Sequence, residues 1–586
     1  MSERRRLRRG ALAGLALLLA TAGVASGAGV TAAARKPAEP ATAGGVAVAH
    51  GDFAATASGE RSLLVTFADR PAGPEARRRL SGLGAVAPLV PEAGVWDLAP
   101  SRPASARAAV LGRARVSGAE WSLARRAADR PPPPAAPGPA PVLTDPLFTP
   151  ASQWGLLERG SWSPALTTTG PRAPIAILDS GVDPTHEEWG GPQGPLVAPR
   201  SVLRGDDDAS DHGESGHGTH VAGIAAAPAN GVGIVGVAPG SFGTAPVIPV
   251  QIANRAGYST DTTMIRGVRH AVLNGAKVIN ISAGGRGYSR AFQDTILWAT
   301  QRGALIVASV GNQGQDINTL NYPAAYRRVL GVGAQCDGAV SFDCPRPYGV
   351  ATFSTYNRSV DVIAPGVRVL SSVPRRVTER VVTPGYALKD GTSMAAPYVA
   401  GVASLVQGAN GNALSPFQVL TQITNTATDI GRRGRDDTSG HGVVNPGAAV
   451  TLNAPEDDPG EVNDDVKWLA GVTRLGETGR PVEIDAAVDS VEDPDDVYAV
   501  RLARGERLRV TLTRRRGQFD LYVWNTGTRT VATGDVNLAR HLVRYKRGSS
   551  RPGVAVYRAE RAGIHYVNVF ARRGAGPYTL RLVRGG

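Results

Sequence analysis

The chain has 586 residues, too many for one globular domain, and its 42% hydrophobic content rules out a disordered or fibrous chain. The net charge of +14 raises nucleic acid as a partner. However, residues 1–130 hold 19 Arg and Lys against 10 Asp and Glu, so nine of those charges lie there and five in the rest. No compact basic patch with interleaved aromatics stands out, which argues against a nucleic-acid partner.

The first element is a targeting segment. Arg4, Arg5, Arg6, Arg8 and Arg9 precede an apolar stretch at 11–25, followed by small residues. This predicts a secretory signal over residues 1–30, with cleavage near 26–34. The stretch is short for a spanning helix of about 20 residues, and no other run is long enough. The expected product is secreted and extracellular, with no membrane association after cleavage.

Residues 31–143 are expected to form a small domain and a linker. A strand at Arg61–Phe67, a helix at Pro74–Leu83, a hairpin within Val86–Leu98, a helix at Ala104–Leu111 and a strand within Ala114–Leu123 give a β-α-β-β-α-β order. That order is ferredoxin-like. The Pro-rich run at 130–141 reads as a stiff, exposed and cleavable linker.

Residues 144–452 carry the chemistry. Ile175, Ala176, Ile177 and Leu178 form an apolar run ending at Asp179, as in a buried parallel strand. The carboxyl end of such a strand faces the ligand crevice of an open α/β sheet. There an Asp can orient a histidine and stabilise its cation. His217 opens a small-residue helix, and a neutral imidazole can take and return a proton. Ser393 follows Gly391 and Thr392 at the head of an apolar helix, where its own N–H aims at a developing oxyanion. A serine hydroxyl is a weak nucleophile and needs such a base. The run Ala304–Val310 reads as a further strand, and Asn312 beyond it supplies a neutral amide donor. Asp, His and Ser thus occur in one of the three known triad orders. His212, His220, His270 and His441 are read as structural or surface residues, and no zinc ligand set of suitable spacing accompanies His217. The two cysteines, Cys336 and Cys344, suit a small-loop disulfide in an oxidising compartment, the alternative being two free thiols.

These stretches, with Ile279–Gly285, Phe353-Ser354 and Asp361–Gly366, resemble the subtilisin-like serine proteases, the subtilases, from about Gln153 to Ala449. The resemblance implies a doubly wound parallel α/β sheet, with Asp179, His217 and Ser393 as the triad and Asn312 as oxyanion donor. It implies that Ser282, Ala283 and Gly284 pair with substrate backbone and that Asn321 floors the pocket for the side chain before the scissile bond. It implies a structural calcium held by Asn230, Val232 and Ile234 with Gln153 and Glu188, where Glu stands for the family's usual Asp. It implies no catalytic metal. The N-terminal domain is implied to be a folding chaperone and transient inhibitor, removed by self-cleavage between about 128 and 144. The implied activity is that of a monomeric endopeptidase acting on proteins or peptides through an acyl-enzyme, with broad, apolar preference. The uncharged pocket argues against strong preference for Lys or Arg. A narrow processing protease, or a non-catalytic peptide-binding scaffold, is the alternative.

Residues 453–586 open with a turn-rich linker and continue as strands at Glu506–Thr513, Asp520–Trp524, Gly563–Phe570 and Tyr578–Val583. They predict a β-sandwich resembling the pre-peptidase C-terminal domain. The runs Asp206-Asp207-Asp208 and Glu492-Asp493-Pro494-Asp495-Asp496 are read as solvated charge, with calcium as the alternative for the second.

Overall fold

The computed structural model describes residues 62–101, 107, 109–111, 113, 116–121, 124–127, 145–157, 172–190, 195–239, 245–314, 319–455, 457–458, 461–469, 471–476, 478–514, 517–531, 538–547 and 553–585. The signal segment and the Pro-rich linker lie outside them. The described residues form two compact units that part between Asp457 and Asp458.

The first unit opens with β1 (Leu63–Phe67), helix α1 (Gly73–Arg79), β2 (Gly84–Val90), β3 (Val95–Pro100) and β4 (Val116–Trp121). The second expected helix, 104–111, is helical at the described positions 107 and 109–111. The strands form an antiparallel sheet in the order β2-β3-β1-β4, the ferredoxin-like arrangement. Leu63, Val65, Phe67, Trp96 and Leu98 are buried with Ala76 of α1 and with Leu80, its C-cap residue. A short strand, β5 (Ala124–Ala127), leaves this sheet.

Seven parallel strands then build the central sheet: β6 (Ile175–Asp179), β7 (Arg200–Ser201), β8 (Val247–Gln251), β10 (Val278–Ile281), β12 (Leu305–Ser309), β13 (Val329–Gln335) and β14 (Val362–Pro365). Their order is β14-β13-β12-β10-β6-β8-β7. Between them come two short strands, β9 (Tyr258–Thr260) and β11 (Ala283–Gly284).

Alternation along β6 explains why helices cover both faces. Ile175 and Ile177 share one core with Val221, Ile224, Met394, Val399 and Val402. These come from α2 (His217–Ala226) and α5 (Thr392–Ala409). Leu178 turns to the other face, against Gly267 of α3 (Asp261–Leu273). α4 (Arg290–Gln301) packs beside α3 and against β12. Strands buried on both faces need apolar residues at every position, which is why β6 reads as a continuous run.

α3 and α4 also carry the N-terminal sheet. Arg266 reaches Asp97 at 3.0 Å, Arg269 reaches Glu92 at 2.9 Å, and the Ser62 and Thr262 hydroxyls meet at 3.2 Å. A small antiparallel sheet of β15 (Val369–Ser372), β16 (Val381–Thr383) and β17 (Tyr386–Lys389) completes this unit.

The second unit is a sandwich of two antiparallel sheets. One joins β18 (Pro481–Asp489), β25 (Ala575–Gly585), β20 (Arg507–Arg514) and β23 (Gly553–Arg558). The other joins β19 (Asp495–Leu502), β24 (Gly563–Arg573), β21 (Gln518–Trp524) and β22 (Leu542–Lys546). Alternate residues, among them Leu508, Val510, Leu512, Leu521, Val523, Val567, Val569, Leu580 and Leu582, fill the layer between.

Candidate active site

The motif residues converge at the carboxyl edge of the parallel sheet. Asp179 is the last residue of β6, and His217 the first of α2. Asp179 Oδ1 lies 2.7 Å from His217 Nδ1 and accepts Ser180 N–H at 2.7 Å. Both side chains are almost fully buried. A carboxylate held this way fixes the imidazole tautomer with Nδ1 protonated, leaving Nε2 as the basic nitrogen.

Ser393 is the second residue of α5, in the N-terminal turn, where a helix presents unsatisfied N–H groups. Gly391 precedes the helix at φ +149°, a conformation open to glycine, and so sets the sharp entry. The Ser393 hydroxyl donates to Ser282 O at 3.0 Å, and Ser282 Oγ donates back to Ser393 O at 2.9 Å. Ser282 is itself steadied by Asn280 Nδ2 at 3.0 Å.

Asn312 stands at the end of β12. Its Oδ1 accepts Thr392 N–H at 2.9 Å and the Thr392 hydroxyl at 2.8 Å. With the oxygen anchored twice, the amide offers Nδ2 as its donor, beside the residue that precedes Ser393. An amide donor and a helix-start N–H together are what a developing oxyanion needs.

β11 directly follows Ser282. It pairs antiparallel with β5, Gly284 opposite Arg126 and Ala283 opposite Ala127. On its other side β5 pairs with β9, Arg126 opposite Tyr258 and Ala124 opposite Thr260. An extended segment of this chain thus lies between two strands that border the site, a pairing seen in recognition by strand addition. The Asn321 amide is wedged beside Gly284 and Gly311, where any side chain would collide with it.

The residues expected to hold calcium also come together. Glu188 is fully buried; its Oε1 accepts Ile234 N–H at 2.8 Å, and its carboxyl also faces the Tyr386 hydroxyl. Burial pushes the Glu188 carboxyl up to about 8. Asn230 Nδ2 reaches Glu188 O at 3.3 Å. The Gln153 amide is engaged at both ends by Val235, through N–H at 3.0 Å and C=O at 2.7 Å. Asp145, which no sequence motif marked, accepts Asn230 N–H and Gly231 N–H at 3.0 and 2.9 Å.

Cys336 and Cys344 form a disulfide. His220 is buried and bonded to Ala387 O at 3.0 Å, a structural role as expected. Asp206, Asp207 and Asp208 are exposed and face Arg200 and Arg204, also as expected. The run at 492–496 is different. Asp493 and Asp496 are fully buried, not solvated, and their oxygens cluster with those of Asp458 and Glu461 within 4.8 Å. The cluster joins residues some thirty positions apart, which a local reading of the acidic run cannot see.

The comparisons with known proteins agree with this fold. The profile of the Subtilase family matches residues 170–442. Subtilisin Savinase of Lederbergia lenta is 34% identical over 282 residues, covering 48% of this chain and 92% of that protein. M-protease of Shouchella clausii (strain KSM-K16) is 35% identical over 282 residues, covering 48% of this chain and 65% of that protein. The crystal structure of fervidolysin from Fervidobacterium pennivorans, a keratinolytic enzyme related to subtilisin, matches the fold with a TM-score of 0.56 at 21% identity, over 89% of this chain and 92% of that one. By these matches, the chain belongs to the subtilases, the subtilisin-like serine endopeptidases.

Proposed function

We propose that this subtilase is made as a secreted zymogen and hydrolyses peptide bonds through an acyl-enzyme on Ser393. The observation that carries the reading is the 2.7 Å contact between Asp179 and His217, set beside a helix-start serine and an anchored Asn312. The Ser393 hydroxyl turns from Ser282 O, gives its proton to His217 Nε2 and attacks the substrate carbonyl. Asp179 holds the resulting imidazolium. The oxyanion is met by Asn312 Nδ2 and the Ser393 N–H. His217 then protonates the leaving amine, and water repeats the sequence to free the acid.

The zymogen reading is supported by β5. Its partner moves from Gly284 to Ala283 as the chain goes from Arg126 to Ala127. One further step along β11's strand direction is Ser282, whose carbonyl touches the Ser393 hydroxyl. This approach of β5 toward Ser393 supports self-cleavage in the expected window of 128–144, which lies outside the described residues. The N-terminal domain would then remain as an inhibitor until degraded. The neutral Asn321 beside Gly284 supports broad preference for apolar or medium-sized side chains before the scissile bond. Among the described residues no helix is long and apolar enough to cross a membrane.

Calcium is proposed at Glu188 and Asn230, with the carbonyls of Val232 and Ile234 and with Gln153 clamping the loop. The buried Glu188 carboxyl fits a hard cation, because its charge there costs desolvation. The ion's contribution there is rigidity, not chemistry. Asp458, Glu461, Asp493 and Asp496 form a second oxygen set of the type such an ion takes.

The decisive experiment expresses wild type and Ser393→Ala side by side. The wild type should hydrolyse casein and begin within the expected window, whereas Ser393→Ala should be inert and keep its N-terminal domain. Equal processing of both, with no hydrolysis by either, would point instead to a binding scaffold.

A further inference from the structure

Asp179 and His217 sit on different elements, so something must fix how far apart and at what angle they meet. Helix α2 is capped from outside. Its N-cap residue is Gly216, which has no side chain to offer. Gly218 N–H donates instead to Ser180 Oγ at 2.9 Å. Thr219 N–H donates to Asp211 Oδ2 at 3.1 Å, and the Thr219 hydroxyl donates to the same oxygen at 2.7 Å. Ser180 Oγ in turn donates to Asp211 Oδ1 at 3.0 Å, which also accepts Gly213 N–H at 2.9 Å. Thr219 Oγ1 accepts Asp183 N–H at 3.0 Å, returning the network to the loop after β6.

Asp211 is therefore the node between the residue that follows Asp179 and the two that follow His217. It is 3% exposed and accepts four hydrogen bonds. Burial raises the Asp211 carboxyl, and the four donors around the helix N-terminus oppose that rise. The fit is tight. A Cβ on Gly218 would lie 2.1 Å from Gly181 O and 3.0 Å from Asp179 Cβ, so α2 is pressed directly onto the end of β6.

We propose that Asp211 is a positioning residue for the reaction, acting through Ser180 and Thr219 to hold the His217 imidazole against Asp179. The inference rests on the reading of Asp179, His217 and Ser393 as the triad. Misplacement of a catalytic group by about 1 Å costs on the order of 10²-fold in rate.

Asp211→Asn replaces one accepting oxygen with an NH₂ that faces donors, breaking one side of the node. In matured enzyme isolated from the full chain, kcat on a chromogenic peptide should fall by about 10²-fold. KM should stay within roughly twofold, because no substrate contact is removed. The downfield proton resonance of the His217 Nδ1–H to Asp179 bond should shift or broaden. A purely structural role would lower the melting temperature and leave that resonance and kcat in place. A folded Asp211→Asn with wild-type kcat and an unmoved resonance overturns the proposal, and so does a rise in KM alone. If Asp211→Asn does not accumulate, Ser180→Ala is read the same way, with an expected loss of about tenfold. Ser393→Ala separates the two levels. If that variant stays active, the triad reading fails. If it is inert while both node variants match wild type, only the role of Asp211 fails.

Discussion

The two units bury carboxylates in opposite ways. At the edge of the parallel sheet, Asp179 meets Ser180 N–H and the His217 ring, and Asp211 meets two N–H groups and two hydroxyls around the head of α2, so each carboxyl is held by donors that folding puts in place. In the sandwich, Asp458, Glu461, Asp493 and Asp496 bring four like charges within 4.8 Å of one another. Asp458 accepts Ala487 N–H at 2.7 Å and Asp496 accepts the Tyr578 hydroxyl at 2.5 Å. Their mutual repulsion still calls for a proton or a cation. A carboxylate solvated by fixed dipoles is ready for catalysis, whereas a crowd of carboxylates is ready for an ion.

Exchanging Asp for Asn, one site at a time, tests this contrast. The largest effect is expected at Asp179. Asp179→Asn keeps the shape and donates where it should accept, so His217 is left in the wrong tautomer. A drop in kcat of about 10⁴-fold is expected, with little change in melting temperature. Steady-state kinetics on processed enzyme would expose a loss smaller than tenfold, which would remove Asp179 from the mechanism.

Asn312→Ala comes next. It leaves every charge in place and removes one donor to the oxyanion, for which a loss of about 10²–10³ in kcat is typical. If KM rose and kcat held, Asn312 would be binding substrate rather than the transition state.

In the sandwich the expected effect is on stability. Calcium at about a hundred times its dissociation constant should stabilise that unit by about 2.7 kcal/mol, and a chelator should reverse it. Asp493→Asn should abolish the calcium response and leave kcat at the wild-type value. Calorimetry that shows no calcium-dependent shift in the wild type would leave the cluster without an ion. A calcium response that survives Asp493→Asn but disappears in Glu188→Gln would place the ion in the catalytic unit alone.

The same contrast explains what could be read in advance. The convergence of Asp179, His217 and Ser393 was legible because each lies at the end or start of an element within a short motif. Asp179 closes an apolar run, and Ser393 follows Gly391 into an apolar helix. The sheet class and the antiparallel N-terminal domain followed from runs and alternation in the same way. Asp211 was not legible, since its partners, Ser180 and Thr219, meet it only when α2 docks on β6. Nor was the burial of Asp493 and Asp496, which depends on Asp458 and Glu461 arriving from a distant loop. The pairing of β5 with β11 and β9 was also hidden, because its sequence, Ala-Arg-Arg-Ala, carries no strand signal of its own.

The smallest effect is expected at Asp390, which lies between these extremes. It is buried just before Gly391, and its Oδ1 accepts Arg368 N–H at 2.5 Å. Arg368 is itself held by Asp337, beside the disulfide. Burial dominates and pushes the Asp390 carboxyl up to about 7 from 3.8, with Asp343 and Asp337 adding to the rise and Arg380 opposing it. Between pH 4 and 7 the folded chain therefore holds a proton that the unfolded chain has released, so stability falls as pH rises through that window. Asn mimics the protonated acid and still accepts from Arg368. Asp390→Asn should flatten this part of the pH profile and raise stability above pH 7 by roughly 1–4 kcal/mol, or a few degrees in melting temperature. Thermal melts of both proteins in the inactive Ser393→Ala background, run from pH 4 to 8, avoid self-digestion. Parallel profiles for the two would mean that Asp390 stays ionised, its charge carried by Arg368 and Arg380 as dipoles carry those of Asp179 and Asp211.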